Sequence, residues 1–353
     1  MQEIWKTGIT AIAIASTLAL VACGGGGDGG SSATPSTTQP TPSTPTPTPT
    51  PSTPQTPDAA STAASVPAGT YASTDERLKL FNLLNTFRSQ IGVGMLRQDP
   101  QLDIAAQAHV SYMVANGVTD GHVEDPAKAS FYAAYPRDRA TKAGVPATTW
   151  VGETISGTGT AADCLGIITN SVYHLMAVTG NQETVGLGFN SLCVMNFGTI
   201  TGQVGTPTLN AIPIGGGQQM AASSIAYTPI DGTTVDRFAD SGESPRPAPD
   251  IARPGHPLMV RVRADQMSDV LSVAAFKLVD STGADVPGRI LIAPNAQSAS
   301  SVSGVATDTN LNPGVAFFLP LSPLGSNQTY TATFSGARNG VPISKSWSFK
   351  TYF

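Results

Sequence analysis

Thr184-Val185-Gly186-Leu187-Gly188-Phe189 and, just downstream, Leu192-Cys193-Val194-Met195-Asn196-Phe197 decide the fold class of the first folded half. Both are short apolar runs with β-branched residues and glycines, and they read as a late antiparallel strand pair. Upstream the period changes. Leu78, Phe81, Leu84 and Phe87, with Leu80 and Leu83 beside them, recur at three- and four-residue steps through Ser89. Ser73 and Glu76 have the spacing of a capping box ahead of that pattern. After a turn at Gly92-Val93-Gly94, a second helix is predicted over Leu102–Asn116. Further helical stretches are predicted over Ala127–Tyr135 and Ala161–Asn170. Helices, mixed loops and a late strand pair predict an α+β layered domain over residues 70–205.

Beyond Asn210 the pattern becomes one of short alternating strands. Ile225–Tyr227, Leu258–Arg263, Val270–Val279, Arg289–Ile292, Val315–Leu319, Thr329–Phe334 and Ser346–Thr351 all read as strands. Tyr330, Ala332 and Phe334 fall on one face, as do Trp347 and Phe349, which fits one buried side. Asn339-Gly340 marks the last hairpin. An all-β sandwich of immunoglobulin-like type is predicted over residues 206–353, entered through the proline-rich connection Ser244-Pro245-Arg246-Pro247-Ala248-Pro249.

The amino terminus carries no core. Thr7 to Ala22 is uncharged and apolar, too short to span a bilayer comfortably, and reads as a signal peptide over residues 1–22. It ends in Leu20-Val21-Ala22-Cys23, which resembles the bacterial lipobox; the resemblance implies a lipid on Cys23 and an outer-membrane location where the cell has one. Residues 23–69, rich in Gly, Ser, Thr and Pro, read as a disordered stalk. Roughly 30 residues of extended polyproline II would reach on the order of 90 Å. With Cys23 assigned to lipid, Cys164 and Cys193 are left to pair outside the cytoplasm. Such a bridge would close a loop of about 30 residues and stabilise by roughly 3–4 kcal/mol. Charged residues make up 12% of the chain and the net charge is −5, so no basic field recruits nucleic acid.

Leu84-Asn85-Thr86-Phe87-Arg88, Ala108-His109-Val110-Ser111-Tyr112-Met113, Gly121-His122, Gly152-Glu153, Ser171-Val172-Tyr173-His174 and Val185-Gly186-Leu187-Gly188 occur in an order that resembles the CAP superfamily. This is the cysteine-rich secretory protein, antigen 5 and pathogenesis-related 1 group, or SCP domain, in its bacterial form, over about residues 74–200. The resemblance implies an α-β-α sandwich and a cleft lined by two His and two Glu. His122, Glu153 and His174 stand at three of those positions. The second Glu has no counterpart, Ser171 falling at about its place, and Thr154 replaces the usual Asn after Glu153. Similar β-domains follow CAP domains in other bacterial envelope proteins, without bringing an activity.

Two imidazoles and a carboxylate could hold Zn²⁺ with a position open for water, a hydrolytic arrangement in which His122 and His174 would be the metal ligands. The same groups could instead form a hydrogen-bonded network that fixes the cleft. Ser171 lies three residues before His174, yet nothing resembling Gly-x-Ser-x-Gly surrounds it, and a turn or capping role is expected. His109 is expected to be a partly exposed helical residue and His256 a loop residue. Gly157-Thr158-Gly159-Thr160-Ala161-Ala162 matches a dinucleotide fingerprint only superficially, with no βαβ unit following. The expectations are therefore a tethered binding module for a lipid or other small-molecule ligand, a Zn-dependent hydrolase, or a structural adhesion protein.

Overall fold

The computed structural model describes residues 60–157, 159–207, 213–240 and 242–353. The expected signal peptide, Cys23 and most of the stalk lie outside them. The first half contains α1 (Glu76–Ile91), β1 (Arg97–Gln98), α2 (Pro100–Asn116), α3 (Pro136–Lys142), β2 (Trp150–Ser156), α4 (Ala161–Thr169), α5 (Tyr173–Val178), β3 (Thr184–Phe189) and β4 (Cys193–Thr199). Helix α1 starts two residues later than the capping-box reading implies. Asp75 is its N-cap and accepts from Arg77 N at 2.8 Å, while Glu76 is drawn away to accept from Ala161 N at 2.8 Å. It stops at Gly92, whose φ of 79° suits the left-handed cap. Asp99 caps α2 ahead of Pro100, a residue preorganised for the first helical turn.

The helix expected over Ala127–Tyr135 is absent; that stretch runs in turns and bends, and α3 follows it. Pro136 explains the displacement. It holds Tyr135 extended, with ψ at 156°, and opens the helix one residue later. Strand β2 escaped the sequence reading because Gly152, Glu153 and Thr154 interrupt its apolar signal.

Strand order is β1-β3-β4-β2, with β1 parallel to β3 and the other pairs antiparallel. Alternation gives the sheet two different faces. Val185, Leu187, Cys193, Met195 and Phe197 face α1, α4 and α5 in one core. Val194 and Ile155 face Ala106, Val110 and Met113 of α2 in another. Gly186 and Gly188 lie on the α2 side. A Cβ on Gly186 would fall 2.1 Å from the backbone carbon of Leu102, and one on Gly188 2.4 Å from that of Ala106. Helix α2 thus packs on β3 with backbone against backbone, which is why the strand alternates large residues with glycine. The Cys164–Cys193 disulfide ties α4 to β4 inside the first core.

In the second half, β5 (Ile225–Thr228), β6 (Thr234–Val235), β7 (Leu258–Val262), β8 (Leu271–Asp280), β9 (Gly288–Ile292), β10 (Gln297–Ser298), β11 (Val305–Thr307), β12 (Val315–Pro320), β13 (Thr329–Arg338) and β14 (Val341–Thr351) form two five-stranded sheets. Their orders are β10-β8-β13-β14-β6 and β11-β9-β12-β7-β5. Asn339 and Gly340, at φ 49° and 80°, make the two-residue turn between β13 and β14. The sheets share a core in which the Phe276 ring lies 5.7 Å from Phe318, 5.4 Å from Phe334 and 6.3 Å from Trp347.

Val260, Val262, Ile290 and Phe318 point into that sandwich core. The alternate residues of the same sheet, Met259, Leu291, Phe317 and Leu319, point outward and join the core of the first half, beside Val172, Leu175, Met176 and Val178. One apolar core therefore runs through both halves. Residues 60–69, expected to belong to the stalk, are packed against the folded part. Ala60–Ser61 pairs with Gln218–Gln219, Met95 N donates to Ala63 O at 2.9 Å, and Val66 packs on the first core. Backbone pairing and one glutamine hold this segment, which is why no apolar periodicity announced it. Among the described residues, no helix is long and apolar enough to cross a membrane.

Candidate functional site

Alternation along β2 sends Val151, Glu153 and Ile155 to the α2–α3 side of the sheet. Glu153 is buried there, and both its oxygens accept from Arg139 Nη2 at 2.9 Å. His122 Nδ1 lies 2.9 Å from Glu153 Oε1. Asn196, opposite Glu153 on β4, adds a bond from its amide nitrogen to Oε2 at 2.8 Å. Burial pushes the Glu153 carboxyl up, but the hydrogen bond from His122 and the charges of Arg139 and His109 together outweigh it. The carboxyl is held below the usual range and is ionised at neutral pH.

Arg139 is itself fully buried on α3, and besides Glu153 it donates to the carbonyls of His122, Ala133 and Ala134. It staples the loop after α2 to the sheet. Glu124, in that loop, accepts from the backbone of Tyr132 at 2.7 Å and faces His109 Nδ1 at 2.9 Å. The expectation of a partly exposed His109 is corrected: the side chain is 0% exposed. Its Nε2 faces Gly121 O at 3.0 Å, so both ring nitrogens meet oxygen atoms. Sequence reading missed Glu124 and Arg139. Their available signal was charge concentrated in and just after a loop of low hydrophobicity, which is no signal of burial.

Of the three expected cleft residues, the structure brings His122 and Glu153 together. His174 lies on α5, in the layer that covers the opposite face of the sheet. Its Nδ1 is 3.3 Å from Glu243 Oε1 and 3.3 Å from Ser171 Oγ. Glu243 comes from the connection between the halves and accepts from the backbone nitrogens of Val172, Tyr173 and His174 at 2.8, 2.6 and 2.9 Å. Ser171 Oγ donates to Ile168 O at 2.8 Å, a turn role with no nucleophilic arrangement about it. His256 lies in a loop, as expected, but is buried, and burial pulls its imidazole down to about 3.

Zinc does not fit this donor set. His122 and His174 each turn Nδ1 to a different carboxylate, and Glu153 is already occupied by Arg139, His122 and Asn196. Among the described residues, no group of three or more His, Cys, Asp or Glu could hold a metal ion. What the arrangement offers is an imidazole, 47% exposed, fixed from beneath by a buried carboxylate. Glu153 meets the ring at Nδ1 and so fixes its orientation.

Asn85 and Arg88, quoted above as a motif, are structural clamps. Asn85 pairs with the backbone of Leu96 through both amide atoms, and Arg88 donates to the carbonyls of Val93, Gly94, Val178 and Gly180.

No family model matches the chain, and no curated protein matches it at a significant level. Among solved structures, an extracellular protein containing an SCP domain from Bacillus anthracis str. Ames aligns with 36% of this chain at 20% identity and a TM-score of 0.31. The aligned part spans 44% of that protein, less than half its length. An outer surface protein from Borrelia burgdorferi aligns with 36% of this chain and 95% of its own, at 15% identity and a TM-score of 0.31.

Proposed function

We propose that this chain is an exported protein tethered to the cell envelope by a lipid on Cys23, and that its folded part is a CAP-type head joined to an immunoglobulin-like sandwich. The head acts as a binding module, and its binding face is the loop around His122. The observation that carries this reading is the His122 imidazole held upright on buried Glu153. A side chain with no binding duty gains little from a buried carboxylate that is itself neutralised by Arg139. The same loop region exposes Val123, Phe131 and Tyr135, apolar side chains suited to a partner surface. The saturated carboxylates and the unfit donor set favour recognition over metal-assisted hydrolysis.

The test is pull-down from native envelope extracts using the full chain and two variants, His122→Ala and Phe131→Ser. Loss of one specific partner with both variants, each still folded by circular dichroism, supports the reading. Unchanged capture would refute it, and stoichiometric zinc binding abolished by His122→Ala would restore the hydrolase. For the anchor, Cys23→Ala should release the protein from the membrane fraction, and retention there would remove the tether.

A further inference from the structure

A cavity of about 260 Å³ lies at the seam between the halves, on the side of the sheet opposite His122. Trp150, Phe197 and Met176 of the first half supply apolar walls, Ile214 and Met220 close one side, and Arg261 of β7 faces it from the second half. The volume falls just under the ~300 Å³ at which pockets for small molecules begin, and the meeting place of two domains is a common location for them.

Arg261 is the feature that wall packing does not explain. Among the described residues, Arg88 and Arg139 are fully buried and hold several acceptors each, whereas Arg261 is half-buried and holds far fewer. Arg88 has the carbonyls of Val93, Gly94, Val178 and Gly180, three of them within 2.9 Å or less. Arg139 has the Glu153 carboxylate at 2.9 Å and three carbonyls. Arg261 has one long bond, from Nη1 to Met176 O at 3.3 Å. It makes no ion pair among the described residues, and burial alone pulls it down to about 10. The charge of Arg261 in turn helps burial depress Arg88 to about 9, so two like charges sit near one another here. The carboxylate of Glu153, whose residue borders the cavity, is committed to Arg139. A half-buried guanidinium at the wall of this cavity, with one long hydrogen bond and no ion pair among the described residues, is a site suited to an anion.

We infer that this cavity binds a small organic anion, its carboxylate held by Arg261 and its aromatic or branched body packed against Trp150 and Phe197. The volume sets the size: a ring and a short chain fit, and a long acyl tail does not. The site is separate from the His122 face and stands or falls independently of it.

The experiment is calorimetric titration of the purified full chain with 3-phenylpropanoate and with its neutral amide, 3-phenylpropanamide. The expected result is one site per chain with at least a tenfold preference for the carboxylate. Arg261→Gln should abolish that preference, and His122→Ala should leave it unchanged. Arg261→Met should unfold at no lower urea concentration than the wild type, because it removes a charge without a partner. Equal affinity for acid and amide, or binding of neither below about 10 mM, would overturn the inference. So would a loss of stability in Arg261→Met comparable to that in Arg88→Met, which would make Arg261 a structural strut.

Discussion

Replacing Gly186 by alanine adds one methyl group at the closest approach of α2 to the sheet. The new carbon would stand 2.1 Å from the Leu102 backbone carbon and 2.2 Å from Asp103 N, where ordinary contact begins at 3.4 Å. Helix α2 would have to back away by about 1.3 Å at Leu102, and a gap of ~0.5–1 Å already forfeits a quarter to a half of a dispersion contact. The residues that lose contact include Leu102, Ala105 and Ala106, all fully buried. Overpacking costs ~1–3 kcal/mol in general, and the obstacle here is backbone rather than a flexible side chain, so about 3 kcal/mol is expected. The melting temperature should fall by about 6–12 °C. Gly166→Ala is the matched control. It adds the same methyl group within α4, where nothing lies within 4 Å, and should stabilise by ~0.5–1 kcal/mol. Urea unfolding followed by tryptophan fluorescence and far-ultraviolet circular dichroism measures both. A cost below about 1 kcal/mol for Gly186→Ala would refute the backbone-on-backbone packing of α2.

Glu153→Gln removes the closer of the two carboxylates beside buried Arg139, leaving Glu124 at 3.7 Å, and should cost ~3 kcal/mol at pH 7. Because the Glu153 carboxyl is held below the usual range in the fold, its contribution is complete above about pH 4.5 and is lost as pH falls through its folded value. Stability curves from pH 3 to 6 should therefore be flatter in the variant. His256 titrates lower in the fold than in the unfolded chain, so its contribution is complete above about pH 6.5. Between about 6.5 and 3 it destabilises the fold by up to ~1.4 kcal/mol per pH unit, and His256→Gln should remove that slope in urea titrations. Joint replacement of Cys164 and Cys193 by alanine should cost roughly 3–4 kcal/mol, read as a lower urea midpoint.

The strands of the second half were legible because their side chains alternate and their turns are conventional. Thr329–Phe334 and Ser346–Thr351 are found at the predicted places, extended at one end, and Asn339-Gly340 forms the turn between them. Helix α1 was legible for the matching reason at a period near 3.6, and α2 and α4 lie close to their predicted places. Helix α3 was misplaced because Pro136 moved its start, and β2 was missed because Glu153 serves the polar network rather than the core. Of the candidate site, the pairing of His122 with Glu153 is found. His109, Glu124 and Arg139 were not legible as members, since pairing among charges of different chain segments has no period. The partner of His174 was hidden for the same reason, for Glu243 lies 69 residues away across the connection.

The shared core alters the meaning of the second half. As a spacer or an independent module it would meet the first half through a small polar surface and a flexible link. Instead, the outward residues Met259, Leu291, Phe317 and Leu319 complete the layer that α5 begins, and Tyr173 OH donates to Asp308 at 2.8 Å across the seam. Glu243 closes the N-terminus of α5 from the connection itself. A sheet of the first half is thus covered on one side by α1, α4, α5 and then the sandwich, and on the other by α2, α3 and the loop that carries His122. Tying the sandwich to the far face keeps it clear of the His122 loop, so the join between the halves and the exposure of that imidazole follow from the same arrangement.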